Sequence, residues 1–453
     1  MHDLRKKILL ESGKTMSRKA RSRPDSLVAS PISSPAPSRG ASRTTSRYAS
    51  EEEISDDSDY DDSLTNSVAG SDDGEDVATA SWTDRLRDRI AELLDRKRSS
   101  TKGREATLTS YAHLVRYHYA EEQVNFQLNE IVLALLKCIR SSSSADESLA
   151  AIMALMLTTF SVESDNIYDR VYPTLKQICQ DSEEASLKAQ AIQAMGIVTM
   201  CGGGGGTEAD ELLEFLIEII ESDGHSVEAG DNALVVNAAL LTWGFVASDL
   251  DDLHEQSERA LEAFTEQLDS VDVDVQVAAG ANVAAIFEAE REYKDETDKT
   301  WDLQYDQHKL VQRMTALARE SSKAIAKKDR KLLHYSFNSV LTSIELGKGP
   351  GYSTARNNQI GAAGEHVDFE GVDKEYGYRE KVRIGDLVIM IDSWSLKARV
   401  SMLRSVLGGG LPIQFQNNPI IRDILSAAHV KYVSAPNKAT LANKKRANKS
   451  GRS

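Results

Sequence analysis

Cysteine is scarce in this chain: Cys138, Cys179 and Cys201 are the three in 453 residues. An odd number without the short spacings of a metal site argues against a disulfide framework and against a zinc module. Each sits in an apolar helical pattern and is expected as a reduced, buried thiol of an intracellular protein. No uninterrupted apolar run approaches the length of a membrane span. The opening MHDLRKKILL is too polar, and its apolar part too short, for a signal peptide. A soluble protein is expected, cytoplasmic with a nuclear pool and with no membrane partner.

The marks of catalysis are missing as well. The glycines Gly202–Gly206 are not followed by the Lys-Ser/Thr pair of a phosphate loop. His113 and His118 are five residues apart, which points them to different faces of a helix, and no Cys lies nearby. Asp249, Asp251 and Asp252 cluster at a helix junction, where they read as cap acids, and nothing supplies the other half of an acid–base site. No serine has the setting of a nucleophile elbow. The expectation is a non-enzyme with no cofactor, no metal and no small-molecule substrate. One further absence points the other way. From Ser426 to the end there is no Asp or Glu, although the whole chain carries a net charge of −16.

That acid-free tail holds Lys431, Lys438, Lys444, Lys445, Arg446, Lys449 and Arg452. Read blandly, it is a solubilising terminus; read functionally, it binds a polyanion, and RNA leads because phosphates attract Lys and Arg through charge and counterion release. His429 and Tyr432 add sparse stacking capacity. The other terminus, residues 1–80, reads as disordered, since its few large apolar side chains cannot offset the entropy of ordering. It is basic first, around Arg18, Lys19, Arg21 and Arg23, then acidic from Glu51 to Asp76. Ser50, Ser58 and Ser71 precede acidic residues and are candidate phosphorylation sites; a solvated tail is the plainer reading.

Between these ends, helical periodicity starts near Trp82 and runs to Leu346, defining a helical domain over 81–346. Pairs of amphipathic helices are expected at Glu121–Arg140 with Ala145–Phe160, Asp165–Gln180 with Glu183–Met200, Ala209–Glu221 with Asn232–Ser248, and Asp251–Leu268 with Val273–Arg291. A period of about 40 residues is that of HEAT and armadillo solenoids. Asp146 and Ser182 read as N-caps, and Gly202–Gly206 as a floppy link. The second helix of each pair is Ala-rich and apolar, suited to the interior of a stack, while the more charged first helices belong outside or on the concave face. A linker is expected over 347–378, a small mixed α/β domain over 379–428, and the basic tail over 429–453. In that small domain VRIGDLVIMI reads as strand with a tight turn at Gly385-Asp386. A helix from Ser395 shows Lys397, Arg399 and Arg404 on its solvent side, and Asn418-Pro419 caps a last helix. Trp394 reads as a core anchor before a stacking platform, and Arg422 as either a bracing or an RNA-facing residue.

Two blocks carry a resemblance. TLTSYAHLVRYHYAEEQ (Thr107–Gln123) leads into ADESLAAIMALMLTT (Ala145–Thr159), and IDSWSLKARVSMLRSVLGGG is followed by QNNPIIRDIL (Ile391–Leu425). In this order they resemble the interferon-related developmental regulator family. The resemblance implies a helical-repeat domain, a short C-terminal domain, and links to transcriptional co-regulation and to ribosomes that are not translating. It places the C-terminal part near the paths of mRNA and tRNA, with Trp394 to Arg422 plus the tail as contact segment. The chain departs from the family where it has Pro412 and Gln414 in place of a His and nearby basic residues. The reading is therefore an all-α, HEAT/armadillo-like solenoid with a small C-terminal α/β domain and disordered tails. The expected partner is the ribosome, rRNA and ribosomal proteins alike, with protein partners on the solenoid. It would silence translation through Lys397, Arg399, Arg404, Arg422 and the tail cations. The alternative is a nuclear transcriptional co-regulator acting as a protein-binding scaffold.

Overall fold

Helical hairpins follow one another along the chain of the computed structural model. It describes residues 81–95 and 100–432, apart from 142–143, 251, 302, 304, 321–324, 357–374, 379 and 385–386. The N-terminal segment and residues 433–453 lie outside it, so the two disordered-tail readings, the three serines and most of the tail cations do too. All described residues fall in one unit, Gly70–Ser453.

Helix α1 (Trp82–Leu94) packs on α2 (Thr101–Tyr117), and the short α3 (Glu121–Asn125) leads to α4 (Leu128–Ser141), which pairs with α5 (Ala145–Ser161). The pattern repeats with α6 (Ile167–Asp181) and α7 (Ala185–Cys201), α8 (Gly206–Glu221) and α9 (Ala233–Ala247), α10 (His254–Gln267) and α11 (Val273–Thr297), then α12 (Gln307–Ala318) and α13 (Lys327–Leu346). The second members stack side by side as an inner row, and the first members form an outer row. This is the expected solenoid, and residue chemistry explains its two rows. The outer α4 buries one stripe, Ile131, Val132, Leu135, Leu136 and Ile139. The inner α9 buries nearly every position from Val235 to Ala247, and a helix apolar all round must be covered on every side. Close approach inside the row needs small residues. A Cβ on Gly196 would stand 2.5 Å from Thr242 Cγ2, and one on Gly244 2.5 Å from Asn282 Oδ1.

Polar contacts tie each hairpin to the next at the repeat spacing. Gln190 Nε2 donates to Leu149 O, 41 residues away. Asn282 Nδ2 donates to Leu240 O, 42 residues away, and Gln267 Nε2 to Ile220 O, 47 away. Buried Lys188 donates to Cys179 O (2.9 Å), Gln180 O (2.8 Å) and Val227 O (2.6 Å). Its ammonium thereby satisfies carbonyls that the end of α6 leaves without helical partners. Burial pushes its pKa down.

Local expectations need three corrections. The N-cap of α5 is Ser144, whose Oγ accepts from Glu147 N; Asp146 is already helical and sits in the first turn, where its charge suits the helix dipole. Ser182 is the C-cap of α6, not the N-cap of the next helix, which begins after Glu184. The glycine run is a tight turn, not a floppy link. Gly203 has φ +95, and a Cβ there would stand 2.4 Å from the Asp165 backbone.

Beyond α13, strands β1 (Tyr352–Arg356) and β2 (Glu375–Tyr378) pair antiparallel within the stretch expected as a linker. Left-handed Gly347 ends α13, and Tyr352 meets Tyr378 across the pair at 5.3 Å. Strands β3 (Lys381–Ile384), β4 (Leu387–Met390) and β5 (His429–Tyr432) form an antiparallel sheet in the order β3-β4-β5. Gly385-Asp386 lies outside the described residues, although the Ile384↔Leu387 pairing spans it. Between β4 and β5 come α14 (Trp394–Leu407), α15 (Leu411–Asn417) and α16 (Pro419–Ile424). Strand β5 belongs to residues expected as basic tail: its alternating sequence HVKY fits a strand despite Lys431, and it pairs with β4 from Leu387↔Tyr432 to Met390↔His429.

Trp243 is fully buried, edge-on to Phe264 at 4.8 Å, and its indole N–H has no hydrogen-bond partner among the described residues. Replacing it with Ala should cost about 3–5 kcal/mol in urea unfolding followed by circular dichroism. Trp243→Phe should cost less, because no hydrogen bond is lost with the ring nitrogen.

Candidate nucleic-acid interface

The C-terminal motif starts at the N-terminus of α14. Ser393 is its N-cap, accepting from Leu396 N at 3.1 Å. The next two N–H groups are met from another part of the chain: Trp394 N and Ser395 N donate to Glu288 Oε1 on α11, at 2.7 and 3.2 Å. The Trp394 ring is buried and its Nε1 donates to Ser343 Oγ on α13 at 2.8 Å, so it is the core anchor expected. Burial of Glu288 raises its carboxyl to about 7, against the lowering effect of those two backbone N–H groups.

Helix α14 lies on the inner row, against α5, α9 and α11. This decides where its cations go. Lys397 Nζ pairs with Glu380 at 3.0 Å and lies over the Trp394 ring. Arg399 was expected on the solvent side, yet its side chain is 18% exposed and fully engaged. Its guanidinium donates to Ser248 Oγ (3.1 Å), to Ser248 O and to Ile424 O (3.2 Å), and pairs with Asp249 at 3.2 Å. Asp249 therefore holds this arginine, a role its sequence setting did not suggest. The reason is geometric: the end of α9 covers a second side of α14, so a position off the apolar stripe is enclosed too. Arg404, in the last turn of α14, and Arg422, in the last turn of α16, are exposed. Lys431 lies in β5, and Lys438, Lys444, Lys445, Arg446 and Lys449 lie outside the described residues.

After α14 the chain turns at Gly408–Gly410. A Cβ on Gly410 would stand 2.3 Å from Arg116 O, so these glycines let the backbone pass over the end of α2 and are more than a helix stop. Helix α15 then inserts Gln414. Its Nε2 donates to Val115 O (2.8 Å), Arg116 O (3.1 Å) and His118 O (3.1 Å). Asn418 Nδ2 donates to Phe160 O near the end of α5 (2.7 Å) and to Gln414 Oε1 (3.0 Å), while its Oδ1 accepts from Ile420 N as the cap of α16. Two buried amides thus meet carbonyls at the C-terminal ends of two inner helices, across 299 and 258 residues of sequence. Gln414, Asn418, Glu288 and Ser248 were not foreseen as a set. A Glu inside the apolar run AAIFEAE and a Gln inside LPIQFQ were the available signals, since buried polar groups need partners.

No group of three or more His, Cys, Asp or Glu among the described residues could hold a metal ion. His118 stacks on Trp82 at 4.6 Å. Cys179 and Cys201 are free thiols that burial pushes up to about 12. What this region offers is a docked segment with two exposed arginines and an edge strand leading into a cationic tail.

The family model described as Interferon-related developmental regulator matches residues 44–345. This chain belongs to the interferon-related developmental regulator family. An uncharacterized protein of Schizosaccharomyces pombe is 31% identical over 363 residues, covering 76% of this chain and 74% of that one. Human "Interferon-related developmental regulator 1" is 23% identical over 337 residues, covering 72% and 67%, and the pig protein of the same name is 22% identical, covering 72% and 68%. Among solved structures, an engineered protein aligns at 14% identity over 56% of this chain and 97% of that one, with a TM-score of 0.33, too low to carry an argument. The family match covers the solenoid, and the docked C-terminal motif lies beyond it.

Replacing Gln414 or Asn418 with Leu should cost about 1–3 kcal/mol each, because carbonyls of α2 and α5 lose their donors. The double variant should cost less than the sum, since the two amides share a hydrogen bond; denaturant unfolding of the four proteins measures this. Glu288 gives a pH signature. Its folded value, about 7, lies above the ordinary 4.5. The stability it contributes is therefore full below about 4.5 and is lost as pH rises through about 7. Glu288→Gln keeps an oxygen acceptor, so its unfolding midpoint should fall less than the wild type's across that window.

Proposed function

We propose that this family member is a non-enzymatic, ribosome-associated regulator that lowers translation by occupying RNA paths with its cationic C-terminal tail. The observation that carries this reading is charge segregation. A chain of net charge −16 ends, from Val433 on, in Lys438, Lys444, Lys445, Arg446, Lys449 and Arg452 with no acid among them. That stretch follows β5, an edge strand of the sheet attached to the docked segment. Exposed Arg404 and Arg422 extend the same cationic character onto α14 and α16.

The mechanism is steric occlusion with lysine– and arginine–phosphate contacts, and no bond is made or broken. In this reading α14–α16 serve as the platform, because their polar side chains already hold the solenoid, and only the tail and the exposed arginines meet RNA. A protein making 6–10 phosphate contacts loses about 10³–10⁵ in affinity between 50 and 200 mM salt, so binding should be steeply salt-dependent. The protein works in the cytoplasm, where ribosomes are. A nuclear scaffold for transcriptional regulators is the second reading, and the basic Arg18–Arg23 block supports it.

Sedimentation of the tagged protein from growing and starved cells tests this. The truncation should remove 433–453 only, since a cut at Ser426 would also delete β5. Enrichment with monosomes, absent from polysomes and lost in the truncated protein and in Arg404→Glu/Arg422→Glu, is expected. Migration in light fractions under both conditions, with a chromatin-bound pool, would replace the ribosomal reading with the nuclear one.

A further inference from the structure

The docked segment covers only part of the inner row. Asn418 meets Phe160 near the end of α5, Ala398 lies 3.7 Å from the Cβ position of Gly244 on α9, and Trp394 meets Glu288 on α11. These covered positions lie in the C-terminal halves of the inner helices. Other positions on these helices stay accessible. Leu234 and Leu241, on one face of α9, are 52% and 39% exposed. Leu149 and Met153 on α5, and Val277 and Ala281 on α11, are partly buried. Inner helices pack on the outer row behind them and on each other at their sides, so the positions left accessible share the inner face. Helix α7, between α5 and α9, contributes Gln190 and Gln193 there. The result is an accessible apolar face on α5, α9 and α11, crossed by the polar α7 between them.

Its rim is acidic. Asp146, Glu183, Asp231 and Asp274 are exposed, one per repeat. Asp146 and Asp274 lie in the first turns of α5 and α11, one helical turn before Leu149 and Val277, while Asp231 and Glu183 lie in the loops just ahead of α9 and α7. Among the described residues, no cation is ion-paired with any of the four. Burial, then repulsion from Asp272 and Asp329, push the Asp274 carboxyl above its ordinary range, with Lys328 opposing them.

We propose that this face is a docking groove for a basic amphipathic helix of a partner protein, with apolar side chains seated on Leu149, Met153, Leu234, Leu241 and Val277 and cations on the carboxylate ladder. The spacing fits. Packed helices stand about 8–10 Å apart, so each repeat advances the ladder by about that distance. A helix rises 1.5 Å per residue, so a Lys or Arg about every seventh residue meets one carboxylate per repeat. Four repeats then take a helix of about 20 residues, bound as amphipathic helices bind in grooves. The same carboxylates repel phosphate, which makes this face unfit for nucleic acid and separates it from the cationic tail. The groove stands independently of the ribosomal reading.

The test uses the full-length protein and a labelled synthetic helix of about 22 residues, with Leu on one stripe and four Lys seven positions apart, beside an analogue with Glu in place of Lys. Fluorescence anisotropy should show saturable binding of the Lys peptide and at least about tenfold weaker binding of the Glu peptide. Leu234→Asp alters an exposed side chain, and Asp231→Asn removes the charge while keeping a residue suited to the left-handed backbone there (φ +56), so both should leave the melting temperature unchanged, yet each should weaken the Lys peptide measurably, Leu234→Asp about tenfold or more. Displacement of the peptide by a single-stranded RNA of similar length should fail. Equal binding of both peptides, no saturation up to about 1 mM, insensitivity to both substitutions, or competition by RNA would each overturn the proposal.

Discussion

Every helix leaves its last carbonyls without partners inside the helix, and an end buried in a protein must find donors elsewhere. In this chain the donors for three inner helices, α2, α5 and α9, come from the far C-terminal segment. Gln414 closes α2, Asn418 closes α5 and Arg399 closes α9, while Glu288 returns the favour at the N-terminus of α14. The docked segment follows from that exchange. It lets the glycines at 408–410 pass over α2, covers part of the apolar inner row, and sets the sheet at whose edge the tail begins. A buried polar network of this kind is costly when half-satisfied, because each orphaned group keeps its desolvation penalty.

Charge is sorted by the same architecture. Cations on the docked segment divide into those spent on the fold, Lys397 and Arg399, and those left outside, Arg404 and Arg422. Exposed carboxylates flank the inner helices, whereas the tail after β5 carries cations and no acid. An adaptor with one surface for a cationic helix and another element for phosphate is consistent with a regulator that performs no chemistry of its own.

The solenoid was legible because periodicity and composition act locally. A 40-residue repeat and the all-round apolar character of helices such as α9 fix two rows before any coordinates are seen. The Asn418-Pro419 helix start was readable for the same reason. What could not be read was the partner of each polar residue. Arg399 looks like a solvent-facing residue on its own helix, and only the end of α9, 151 residues away, makes it internal. Gln414 looked like a missing charge in an RNA-binding block, whereas its buried amide donates to carbonyls at the end of α2. Strand β5 was hidden by lysine content, and β1 and β2 by glycines on either side.

The central claim is that α14–α16 stay docked on the solenoid while the tail engages RNA. Amide hydrogen exchange of the full-length protein, free and bound to purified ribosomes, tests it directly. The amides of α14 and α16 should be as protected as those of α9 in the free protein and remain so in the complex. Loss of that protection on ribosome binding would mean that the segment itself leaves the solenoid to enter the RNA path, and would contradict the account.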